Sequence, residues 1–146
     1  MVKQLDLLAQ LYGEVLVPPA VEAELQAGAE QGVDVPHIAV LSWLKVTPLA
    51  SDTSIPLVTD LGQGEAEVIA LDLENPDSRL ILDDTLARRI ARLHKLQFTG
   101  TVGVIVRAKP VGLLTAVSPL LSALREAGLW LSDALVTQVL YQAGEK

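Results

Sequence analysis

Short apolar runs alternate with helically spaced segments along this chain, and that alternation restricts the fold more than any other feature. Val15-Leu16-Val17, a segment near Leu44–Thr47, Arg79–Leu82 and Gln97-Phe98-Thr99 read as short strands. Residues 4–12 carry apolar side chains at 5, 8, 11 and 12, which is helical spacing, and Gly13 is a stop signal. Pro19 suits the first turn of a helix over Ala20–Ala27 with Gly28 after its end. Further helices are expected over Glu65–Leu73, from Thr85 to about Lys95, over Thr101–Lys109, over Pro119–Ala127 and over Ser132–Gln142, the last capped by Ser132 or Asp133. Residues 28–36 read as loop, 36–60 are mixed, and Thr59–Gly64 is a turn-rich helix entry. Strands alternating with helices imply a parallel α/β sheet, and ligands gather at the carboxyl ends of such strands. No internal repeat or break in composition divides the chain, so residues 1–146 are expected to form one domain.

Composition removes several classes of function. The 146 residues include no cysteine, so thiolate metal sites, disulfides and Cys nucleophiles are excluded. With only His37 and His94, any bound metal is expected on oxygen ligands, which favours Mg²⁺ or Mn²⁺ over Zn²⁺. Aromatic residues are 3% of the chain, too few for base-stacking platforms. No apolar run is long enough to span a membrane and no signal peptide opens the chain, so a soluble cytoplasmic protein is expected. Charge is uneven: residues 1–78 carry −11, whereas residues 79–146 carry +4. Six of the eleven bases lie between Arg88 and Lys109, a stretch that reads either as a solvated helix face or as a phosphate-docking stripe.

Three acidic segments stand out. In Leu80-Ile-Leu-Asp-Asp-Thr-Leu-Ala-Arg-Arg-Ile-Ala91 two adjacent carboxylates leave an apolar strand and open a helix. One Asp is explained as a helix cap, the pair only partly, and Asp84 to Arg88 is also an i,i+4 pair. In Gly62-Gln-Gly-Glu-Ala-Glu-Val-Ile-Ala-Leu71, Glu65 falls in the first turn of a helix, where an acid also serves the helix dipole. The Gly62-x-Gly64 spacing is too short for a dinucleotide fingerprint. In Val15-Leu-Val-Pro-Pro-Ala-Val-Glu-Ala-Glu-Leu25, Glu22 and Glu24 cannot share a helix face, so one faces a cleft and the other solvent.

Taken in order, Val17–Leu25, Gly62–Leu71, Leu80–Ala91 and Phe-Thr-Gly-Thr-Val-Gly-Val-Ile (98–105) resemble a prokaryotic PIN-domain protein of the toxin-like branch related to the VapC ribonucleases. The resemblance spans nearly the whole chain. It implies a three-layer α/β/α sandwich, a Mg²⁺- or Mn²⁺-dependent ribonuclease, dimerisation and an antitoxin partner. Matching motif by motif, Glu24 is the first helix's acid, Glu65 the second cluster member, and Asp83 or Asp84 the strand-end ligand. Arg88, Arg92 and Lys95, at i, i+4 and i+7, form a stripe suited to RNA phosphates. Metal ions held by clustered carboxylates would supply a nucleophilic water and stabilise the leaving oxygen in phosphodiester hydrolysis.

Members of that branch usually open with a strand ending in an Asp, about fifteen residues before the helix with which this chain begins; Asp6, within that helix, is no substitute. Three arrangements would account for this: a longer natural protein, strands re-paired or completed by a second subunit, or a catalytically dead copy. The competing readings are therefore a PIN-type ribonuclease, intact or inactive, and a non-catalytic interaction protein on the same fold with Trp130 and Tyr141 as anchors. An α/β enzyme of another class lacks any supporting Gly-x-Ser-x-Gly, P-loop or Ser/His motif.

Overall fold

The computed structural model describes residues 5–32, 35–36, 38–51 and 60–145. Gln4 of the first expected helix, part of the 28–36 loop, His37 and Thr59 lie outside these residues. The chain divides into two compact units: one gathers Met1–Gly13 with Thr101–Lys146, and the other is the continuous stretch Glu14–Gly100.

The continuous unit contains all the strands among the described residues. They are β1 (Val15–Val17), β2 (Leu44–Val46), β3 (Leu80–Ile81) and β4 (Phe98–Thr99). β1 pairs in parallel with β2, Val15 opposite Leu44, and β3 pairs in parallel with β4, Leu80 opposite Phe98. Parallel neighbours need a long crossover. Helix α2 (Pro19–Glu30) and a 3-10 turn at Ile38–Val40 lie in the first, and α4 (Thr85–Leu93) is the second. Helix α3 (Gln63–Glu74) joins the two strand pairs in sequence. The α/β class and parallel pairing expected from the alternation therefore hold. Ile69, Leu80, Leu82, Ala87, Ile90 and Ala91 form the buried core of this unit.

Helix α2 runs past its expected end. Gly28 lies inside it, and the left-handed residue after its close is Gly32, with φ +85°. The C-terminal end of α3 is tied locally. Asn75 donates from Nδ2 to the Leu71 carbonyl at 2.8 Å, and the Ser78 hydroxyl lies 2.5 Å from the buried Asp72 carboxyl. Burial raises Asp72 above the usual carboxylate range, partly opposed by the Ser78 hydrogen bond.

The other unit is helical: α1 (Asp6–Tyr12), α5 (Thr101–Ala108), α6 (Ser118–Glu126) and α7 (Asp133–Gln142). Leu7, Ile105, Val117, Leu121, Leu124 and Val139 are among the residues of its separate core. Ser132, not Asp133, caps α7, accepting from Leu135 N–H at 3.1 Å. Near the C-terminus Glu145 accepts from Lys109 Nζ at 2.7 Å, from Val117 N–H at 2.8 Å and from Ser118 N–H at 3.2 Å. It thus satisfies first-turn donors of α6, whose N-cap position Val117 offers no side-chain acceptor. The Lys109 hydrogen bond, followed by that of Val117 N–H, holds the Glu145 carboxyl below its ordinary range.

Candidate functional site

The N-terminus of α3 is where the acidic segments first meet. Its N-cap, Gly62, has no side chain, and the N-cap of α2 is Pro18, which has no acceptor. Each helix start therefore needs a carboxylate from elsewhere, because first-turn N–H groups have no partner within their own helix. The two helices exchange them. Glu24 of α2 accepts from Gly64 N–H at 3.1 Å, and Glu67 of α3 accepts from Ala20 N–H at 3.1 Å. Gln63 Nε2 donates to the other oxygen of Glu67 at 3.1 Å. Gly64 is required by this approach: a Cβ there would lie 2.7 to 2.9 Å from the Glu24 carboxylate atoms. Glu65, in the same first turn, folds its carboxylate back against Gly62, where a Cβ would collide with Oε2. Glu24 and Glu65 are thus brought to one helix end, in the favourable field of its dipole.

The strand-end doublet divides its labour. Asp84 is the N-cap of α4 and accepts from Ala87 N–H at 2.9 Å. Asp83, just past β3, faces the Arg88 guanidinium, with Nη2 3.7 Å from Oδ1. Arg88 is fixed from several directions. Its Nε donates to the Leu82 carbonyl at 2.7 Å, and its Cζ lies 5.3 Å from the centroid of the Phe98 ring. Nη2 also lies against Gly100, where there is no Cβ to obstruct it. Arg92 stacks on the same ring at 5.1 Å. Lys95, the last of the basic stripe, is exposed with a left-handed φ of +58°. Its N–H bonds to the Arg92 carbonyl, and that of Leu96 to the Ala91 carbonyl, the two bonds of a Schellman close.

The DUF3368 family model, a PIN domain, matches residues 1–145. The chain belongs to this family. No curated protein and no solved structure matches it. PIN membership generally implies nuclease activity, and PIN domains typically use divalent metals. The carboxylate oxygens of this PIN domain are the right donor chemistry for a hard cation. Their placement does not amount to a metal site: among the described residues, no three His, Cys, Asp or Glu side chains are grouped to hold an ion. Glu24 and Glu65 lie at the same helix end, whereas Asp83 is paired with Arg88 and Asp84 with its own helix.

Sequence reasoning passed over two residues of this arrangement. Glu67 lies two residues beyond Glu65 and carries the return half of the exchange between α2 and α3. Its signal was an absence: two helix starts, at Pro18 and Gly62, with no side chain of their own to cap them. In the sequence Gly100 stands only as one residue of the 98–105 motif. Its role follows from the close approach of Arg88 and Asp83, which no sequence pattern displays. Of the basic stripe, Arg88 is half-buried and engaged within the molecule, whereas Arg92 and Lys95 are exposed.

Proposed function

We propose that this PIN domain, taken as one domain over residues 1–146, is a Mg²⁺- or Mn²⁺-dependent endoribonuclease of the VapC-like toxin branch. It would act in the cytoplasm on RNA, be restrained by an antitoxin protein and work as a homodimer. The observation that carries this reading is the placement of Glu24 and Glu65 at the start of α3 in a chain of the PIN family. Asp83 is the strand-end acid we assign to the reaction, because Asp84 serves as a helix cap. Arg92 and Lys95 offer exposed charge for phosphates, and Arg88 adds charge at the inner edge of the same stripe.

The test is cleavage of a mixed RNA pool with Mg²⁺ or Mn²⁺. Cleavage should disappear with EDTA, with Asp83→Asn and with Glu65→Gln, and should persist in Asp84→Asn to the extent that the fold does. Turnover that survives EDTA or survives Asp83→Asn together with Asp84→Asn removes the reading.

A second reading, a non-catalytic interaction protein on the PIN fold, is favoured by one observation. Trp130 and Tyr141, in the helical unit, are 82% and 83% exposed, unusual for large aromatic side chains. A tight protein complex formed without RNA turnover, and lost in Trp130→Ala, would select it.

A further inference from the structure

A PIN domain is expected to collect acids around a cation, yet three acids of the candidate site in this chain already have internal partners. Glu24 has the Gly64 N–H and Asp84 has the Ala87 N–H. Asp83 alone faces a full positive charge. We propose that Arg88 is the resident counter-cation of Asp83, and that a divalent cation reaches Asp83 only in competition with it. The inference rests on the metal-dependent reading given above.

The geometry supports a built position for the guanidinium. Arg88 is anchored by contacts that do not involve Asp83: Nε on the Leu82 carbonyl at 2.7 Å, and Cζ over the Phe98 ring at 5.3 Å. Those contacts hold Nη2 beside the strand end whether or not Asp83 attracts it. The space it occupies exists because residue 100 is glycine. A Cβ there would overlap Nη2 and lie 2.7 Å from Asp83 Oδ1. Asp84 cannot take over the role of Asp83, since its carboxylate closes the first turn of α4. A fixed cation beside a carboxylate opposes a second cation at the same oxygen, by an amount that water moderates here because both side chains are partly exposed, 33% for Arg88 and 44% for Asp83.

The experiment is a calorimetric titration of Mn²⁺ into the full chain. Arg88→Met keeps the stem without the charge, and Arg88→Gln does so with a polar end. Both should bind Mn²⁺ about three- to tenfold more tightly than the unaltered protein. Arg88→Lys, which keeps a charge, should gain much less, and adding Asp83→Asn to Arg88→Met should abolish the gain. Equal or weaker binding by both neutral variants, with native circular dichroism in at least one, overturns the proposal, as does the absence of Mn²⁺ binding throughout. The expected order of affinities without any RNA cleavage removes the ribonuclease reading and leaves the counter-cation standing. RNA cleavage with affinities indifferent to position 88 does the reverse.

Discussion

Asp83 and Asp84 are adjacent and chemically identical, and their duties differ because of one backbone turn. Asp84 has the extended N-cap geometry, φ −67° and ψ 132°, that aims its side chain at the N–H of Ala87. Asp84→Ala should therefore cost about 0.5–2 kcal/mol of stability, measured by urea unfolding, whereas Asp83→Asn should leave the midpoint nearly unchanged. The sequence showed a doublet in which a cap explained one member; only the turn geometry says which. Lys95 is a second residue-scale case. Among the described residues it is the non-glycine with positive φ, at a position where α6 and α7 are followed by Gly128 and Gly144. Lys95→Gly should raise stability by about 0.5–1 kcal/mol in the same assay. The native lysine thus keeps an exposed charge at a conformational cost.

Helices α2 and α3 illustrate what elements add to residues. Neither start can satisfy its own N–H groups, and each receives a glutamate from the other. The two bonds tie the same pair of helices, so they share one backbone framework. A double-mutant cycle of Glu24→Gln and Glu67→Gln should accordingly show a coupling of about 0.5–1.5 kcal/mol, in place of simple addition. The helices themselves were legible from apolar spacing and from the Pro19 signal, to within a few residues. Their pairing was not. Caps supplied from about forty positions away leave no periodicity, and Gly28 misled because a glycine signals a helix end only where the chain turns left-handed. Here that turn comes at Gly32.

On the scale of the whole molecule, one carboxyl in each unit links stability to pH, and the two act in opposite senses. Glu145 is held below its ordinary range by Lys109 and by the Val117 N–H. Its stabilising effect is therefore present above the unfolded value of 4.5 and is lost as pH falls through the lower folded value. Asp72, raised by burial, works in the other sense: its effect is complete below the unfolded value of 3.8 and declines as pH rises through the higher folded value. Glu145→Gln should lower the melting temperature at pH 7 and flatten its fall in acid, while Asp72→Asn should leave the acid limb intact and remove the decline above it. Calorimetric melts from pH 3 to 8 would check both. The sequence conveyed the α/β class and the order of elements, because these follow from patterns of a few residues. The division into units was hidden, since it depends on contacts between stretches far apart in the chain.

That division sets a timetable for synthesis. Among the described residues, helix α1, at seven residues too short to persist alone, has its core partners in segments made after Thr101. Glu14–Gly100 can assemble while the ribosome is still at work. Helix α1 must wait, apolar side bare, until the stretch from Thr101 onward has emerged to receive it.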